Sequence, residues 1–267
     1  MHNNISSEQF KTAFSSILQA TFKFQTAYQK VIKNVVNSFN QTFKNIKISS
    51  EAIYSHKYAK LMTDIGYPLH MFYNKTFFNK VVTIPKSDVS QYINQFFNNR
   101  RINAIYNSWG KMKFIKQDRL PILKEAINMH KKGFYYSSVS ILMCQFSSII
   151  QDNYKFLIKQ GAIFDDDFVD DILKHFDIDK MKKDSDKGRL CQQLSYMTKG
   201  GLFQYEFLKY LNDYVLNSNK QRLKNNPNRN KICHGEYLKY NTWEHSLKSI
   251  LVIDGLLRLP NIFVMPN

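Results

Sequence analysis

YYSSVSILMCQFSSIIQDNYKFLIKQ, Tyr135 to Gln160, decides the fold class. Apolar residues recur at Val139, Leu142, Met143, Phe146, Ile149, Ile150, Tyr154 and Leu157. That three-to-four spacing gathers side chains on one face of an α-helix, and Gly161 is placed to end it. The preceding stretch, with Leu120, Ile122, Leu123, Ala126 and Ile127 before Lys131-Lys132-Gly133, has the same period and a stop of cations and glycine. The two predict a hairpin of helices.

Helical signals continue on both sides. Phe10, Phe14, Ile17, Leu18, Phe22, Val31, Ile32, Val35, Val36, Phe39 and Phe43 predict a long helix over 9–43, with Ser6-x-x-Gln9 as its capping box. A second helix is predicted from Ser50 to Gly66-Tyr67-Pro68. Residues 68–85 read as irregular and aromatic-rich, and a short helix over 87–97 ends at Asn98-Asn99-Arg100-Arg101. Between there and Gly110, Arg and Lys interleave with Tyr106 and Trp109, either as a nucleic-acid strip or, more commonly, as a connector whose aromatics pack.

Asp165-Asp166-Asp167 and Asp170-Asp171 suggest the acidic first turn of a helix, without the companion ligands a metal site needs. Lys180 to Lys187 and Gly200-Gly201 read as loops, and Phe203 to Leu216 as another helix. Pro227 suits a helix start, which puts Arg229 in the first turn of a short helix that Gly235 terminates. Asn241-x-x-Glu244 is predicted to cap a last helix through Leu257. No strand-like alternation of useful length occurs, so the chain reads as all-α, in two regions, 1–112 and 113–267.

With 267 residues, 43% of them hydrophobic, the chain can bury a core large enough to offset its ordering entropy. No apolar run reaches the roughly 20 residues of a membrane span. MHNNISSEQF has neither a basic n-region nor an apolar h-region, so no membrane partner and a cytoplasmic location are expected. Cys144, Cys191 and Cys233 are odd in number and far apart in sequence, which supports neither a disulfide framework nor a zinc cluster. The formal net charge of +17 points to a polyanion, nucleic acid first; lysine usage set by an AT-rich genome is the competing source. Glycine-flanked nucleophiles and phosphate-cradling glycine loops are missing, which removes hydrolase and nucleotide-kinase classes.

The chemistry-bearing run is Arg229-Asn230-Lys231-Ile232-Cys233-His234-Gly235. Arginine can grip a phosphodiester through a permanently charged fork, and histidine titrates near neutrality and can move a ribose 2′-hydroxyl proton. His56, His70, His130, His175 and His245 have no such surroundings and read as ordinary surface or partly buried residues.

Two segments resemble the HEPN superfamily, helical domains named for higher eukaryotes and prokaryotes nucleotide-binding. RLPILKEAINMHKKGFYYSSVSILMCQFSSIIQD, Arg119 to Asp152, resembles its opening hairpin; NRNKICHGEYLKYNTWEHSLKSILVIDGLL, Asn228 to Leu257, resembles its arginine-x4-histidine motif and closing helix. The resemblance covers the chain from about residue 115 and leaves the N-terminal helical region uncovered. It implies a C-terminal bundle of four or five helices, homodimers in which two motifs share a cleft, and endoribonuclease activity that needs no metal and no cofactor. Arg229 and His234 correspond to the catalytic pair, Asn230 supports them, and Lys231 is a further RNA contact. Antiviral abortive-infection effectors and toxins are among such proteins, so a phage-derived trigger or an antitoxin is an implied partner, and residues 1–112 are expected to sense a trigger, restrain the nuclease or help it dimerise. Related bacterial proteins often carry glutamate where this chain has Ser147, so that carboxylate is expected to be absent or replaced by Gln145 or Asp152. The alternative is a HEPN module that binds RNA or protein without cutting.

Overall fold

The computed structural model describes residues 50–69, 75–112, 115–162, 164, 166–175, 184–196, 202–216 and 225–262. The protein is all-α: among these residues every regular element is helical. The helix expected over 9–43, its capping box and the Gly200-Gly201 break lie outside the described residues. In chain order the helices are α1 (Ser50–Asp64), α2 (Lys75–Thr83), α3 (Lys86–Phe96), α4 (Asn99–Trp109), α5 (Arg119–Lys131) and α6 (Tyr135–Lys159). They continue with α7 (Asp166–His175), α8 (Asp186–Tyr196), α9 (Leu202–Tyr210), α10 (Arg229–Cys233) and α11 (Trp243–Arg258). A π-helical turn, Leu211–Leu216, extends α9.

The periodicity of α6 is used as expected. Val139, Leu142, Met143, Phe146, Ile149, Ile150 and Leu157 are buried, while Tyr154 is half-buried and stacks on Phe164. Gly133 (φ 81°) turns α5 back against α6, and α6 also carries α8, α10 and α11 on its flanks. Helix α11 is enclosed: every residue from His245 to Leu257 is buried. A helix wrapped all round must partner its own polar groups. Lys248 meets Glu244 at 2.8 Å, Ser246 bridges His130 and Ser138, and Asp254 accepts from Trp109 Nε1 at 2.8 Å and from Arg258. Gly255 lets α9 approach, since a Cβ there would stand 2.3 Å from Phe207 Cζ.

One apolar cluster runs from Tyr58, Met62 and Phe77 through Trp109 to Leu251 and Leu257, so residues on both sides of position 112 share a core. Arg258 Nη2 also donates to Ser108 Oγ at 2.6 Å.

Four local expectations are corrected. Residues 75–83, read as irregular, form α2 because Phe77, Phe78 and Val81 fall at helical spacing and are buried. The polar Asn98–Arg101 segment starts α4: the Asn98 side chain accepts from Arg101 N, and Trp109 is buried inside the core. Trp109 is therefore closed to nucleic acid. Helix α8 had no forecast; its acidic first residue was absorbed into the charged Lys180–Lys187 run. Thr242, not Asn241, is the N-cap of α11, its hydroxyl accepting from His245 N at 3.2 Å. Among the described residues no helix is long and apolar enough to cross a membrane.

Candidate active site

Helix α10 has only five residues, too short to persist on its own. Neighbouring asparagines hold it in place. Asn225 Nδ2 donates to Glu244 Oε2 at 2.9 Å, and Asn226 Oδ1 accepts from the buried Tyr210 hydroxyl at 2.7 Å. Asn228 caps the helix, its Oδ1 accepting from Lys231 N at 3.0 Å. Beneath them Lys248 sits over the Tyr67 ring at 4.3 Å while paired with Glu244. Burial works to raise the Glu244 carboxyl, but Lys248 beside it, with hydrogen bonds from Lys248, Asn225 and Tyr67, takes it below its usual range. Burial lowers Lys248, partly offset by Glu244, and burial together with Glu244 pushes the Tyr67 phenol well up.

The C-terminus of α10 closes as a Schellman motif. Glu236 N donates to Lys231 O at 2.8 Å, Gly235 N donates to Ile232 O at 3.2 Å, and Gly235 takes φ 74°. The glycine after the histidine is thus required by backbone geometry: His234 occupies the C-cap, exposed to solvent, and the next residue must be left-handed. Residues 236–240 then run back along α6, with Tyr136 OH donating to Leu238 O at 2.8 Å and Ser140 Oγ 3.0 Å from Tyr240 OH. Phe134, Tyr136 and Leu238 remain exposed there.

Arg229, half-buried, reaches inward. Its Nη1 donates to Asn230 Oδ1 at 2.8 Å and its Nη2 to Ser147 Oγ at 2.7 Å. Ser147 passes the contact on, donating to Asp186 Oδ2 at 2.5 Å. Asn230 Nδ2 donates in turn to Leu216 O at 3.2 Å. Neither Gln145 nor Asp152 replaces a carboxylate at position 147. Both are occupied by Arg119, whose Nη1 and Nη2 donate to them at 2.5 and 2.6 Å. A carboxylate does reach the motif through Ser147: that of Asp186, which opens α8. The Ser147 relay is legible only once α8 is known to exist.

Lys231 is half-buried, with its backbone used in both caps. The other histidines divide. His130 is buried with Nδ1 2.8 Å from Ser246 Oγ, and burial lowers its pKa to about 4. His245 is buried between Thr242 Oγ1 (2.7 Å) and Tyr237 OH (3.0 Å). Cys144 of α6 and Cys233 of α10 also come near each other, a pairing their separation in sequence conceals, and burial followed by Cys144 raises the Cys233 thiol. The arrangement holds the Arg229 guanidinium and the exposed His234 imidazole at opposite ends of the same short helix. Against known protein families, curated proteins and solved structures, the chain finds no match.

Proposed function

We propose that the chain is a HEPN-type endoribonuclease that cleaves RNA without metal, by attack of the ribose 2′-hydroxyl on the adjacent phosphorus. The observation that carries this reading is the division of labour on α10. Arg229 is anchored by Ser147 and Asn230 through two of its N–H groups, leaving other guanidinium N–H groups for phosphoryl oxygens. His234 at the C-cap stays exposed, where an imidazole can take the 2′-proton. Arg229 stabilises charge that grows on the phosphoryl oxygens in the transition state, and Lys231 adds a phosphate contact.

The reaction also needs a proton delivered to the leaving 5′-oxygen, and one motif has one histidine. A homodimer whose two motifs share a cleft supplies the second. Antiviral defence or toxin action, in the cytoplasm and under a phage-derived trigger or an antitoxin, is the biology this chemistry fits. A second reading is favoured by a specific observation: Gly235 is explained by helix termination and Arg229 by its interior bonds, so the motif can serve architecture alone. The protein would then be a polyanion-binding module, consistent with its charge of +17.

Labelled RNA in EDTA separates the two. Cleavage to a 2′,3′-cyclic phosphate and a 5′-hydroxyl, lost by at least about a hundredfold in His234→Ala and Arg229→Ala variants of unchanged helicity, supports the nuclease. A 2′-deoxy residue at the cleavage position should bind and stay intact. Binding without cleavage by every variant selects the module.

A further inference from the structure

Cys144 and Cys233 are both exposed and lie on helices packed against each other, Cys144 one turn before Ser147 on α6 and Cys233 one turn after Arg229 on α10, where the Arg229–Ser147 bond sets the register. Cys191, the other cysteine, is buried in the core. A disulfide needs Cα atoms within about 7 Å, a spacing that neighbouring turns of packed helices reach at their closest approach, and two solvent-open thiols so placed meet the access that thiol–disulfide exchange requires. The cross-link would tie α10 to α6 at the residue immediately before His234.

We propose that Cys144 and Cys233 are a redox-modification site, closing a reversible disulfide between α6 and α10 by exchange with a low-molecular-weight disulfide such as oxidised glutathione. One protein thiolate attacks the small disulfide, forming a mixed disulfide and expelling one glutathione thiolate. The second protein thiolate attacks the protein-side sulfur and expels the other. The two cysteines are oxidised by two electrons, one disulfide is reduced to two thiols, and the protons lost by the cysteines end on the glutathiones. Burial, then Cys144, raise the Cys233 thiol, with Arg229 opposing, so exchange through Cys233 should quicken as pH rises above neutrality.

The test oxidises the purified 267-residue chain with oxidised glutathione, traps remaining thiols with an alkylating agent in denaturant, and reads intact mass and a peptide map. The expected product has lost two hydrogens, carries one cross-link between the peptides holding Cys144 and Cys233, keeps Cys191 alkylatable, and returns to the starting mass with dithiothreitol. In Cys144→Ser or Cys233→Ser the surviving exposed thiol should carry one glutathione instead. Oxidised protein should also unfold several degrees higher, since the bond closes a long loop of chain. Stable glutathione on both cysteines of the wild type, a bond through Cys191, or a bond between two chains overturns the proposal. None of these readouts depends on RNA cleavage, so failure here is distinct from failure of the nuclease reading.

Discussion

Arg229 has five N–H groups to place; Asn230 and Ser147 take two, the Nε–H is buried, and these three fix the plane in which the rest point. Ser147 is the pivot, because its single hydroxyl accepts from Arg229 and donates to Asp186. Ser147→Ala removes both contacts. It is expected to lower RNA cleavage about tenfold and to cost about 1–2 kcal/mol of stability, as for a buried hydrogen bond lost with its partners left in place. Single-turnover rates and urea unfolding of the same preparation check this. Ser147 is thereby a positioning residue, so an unchanged rate would place Arg229 in architecture alone. At the same scale, His130 is held neutral by burial, its pKa lowered from 6.5 to about 4. Between those values the unfolded chain binds the proton and the folded chain does not, so stability falls as pH drops through that window. The expected loss is about 2 kcal/mol between pH 7 and pH 5, removed in a His130→Gln protein, measured by urea unfolding at the two pH values.

Among the elements, α11 shows what sequence can and cannot reveal. Its apolar spacing was plain, but its complete enclosure was not, because Ser246, Lys248 and Asp254 look like a solvent face until Ser138, the Tyr67 ring and Trp109 are known to lie against them. The short helix after Pro227 was legible in its bounds, Arg229 lying in its first turn and Gly235 closing it, although Asn228 rather than Pro227 starts it. The bonds that hold it, the Ser147–Asp186 relay and the pairing of Cys144 with Cys233 were illegible, since each joins residues far apart in the chain. Misreadings clustered where polar residues open helices, at Asn98 and Ser185, whose side chains accept from Arg101 N and Gly188 N and read in sequence like loop residues. Gly255 was hidden too, a glycine inside a helix whose purpose appears only with Phe207 lying across it. Gly255→Ala should cost about 1–3 kcal/mol, since the ring must move within a packed core. Thermal unfolding should reveal that loss, and a Gly255→Ala, Phe207→Leu double variant should recover part of it.

For the whole molecule, the proposed binding of RNA would draw on an excess charge of +17 and is expected to fall steeply with salt, whether or not the RNA is cut. Filter binding across a salt series, with wild type and His234→Ala superimposing, is the expected result. Cleavage adds a requirement on assembly. Mixing Arg229→Ala with His234→Ala subunits should leave mixed dimers at best weakly active if the two motifs share one cleft. A fully active monomer by light scattering would remove the shared cleft.

The indole of Trp109, donating to Asp254 across the core, has a spectroscopic consequence. The chain has two tryptophans, and the other, Trp243, is half-buried with its ring centroid 5.7 Å from that of His130. Each indole therefore reports a different event by its own emission. In a Trp243→Phe protein, a red shift during denaturation times the moment residues before position 112 part from α11. In a Trp109→Phe protein, the remaining emission follows the surroundings of His130 as acid is added. Coincidence of the first signal with loss of helical circular dichroism would make the described helices one cooperative unit; an earlier red shift would mean that the N-terminal helices detach while the rest still stands.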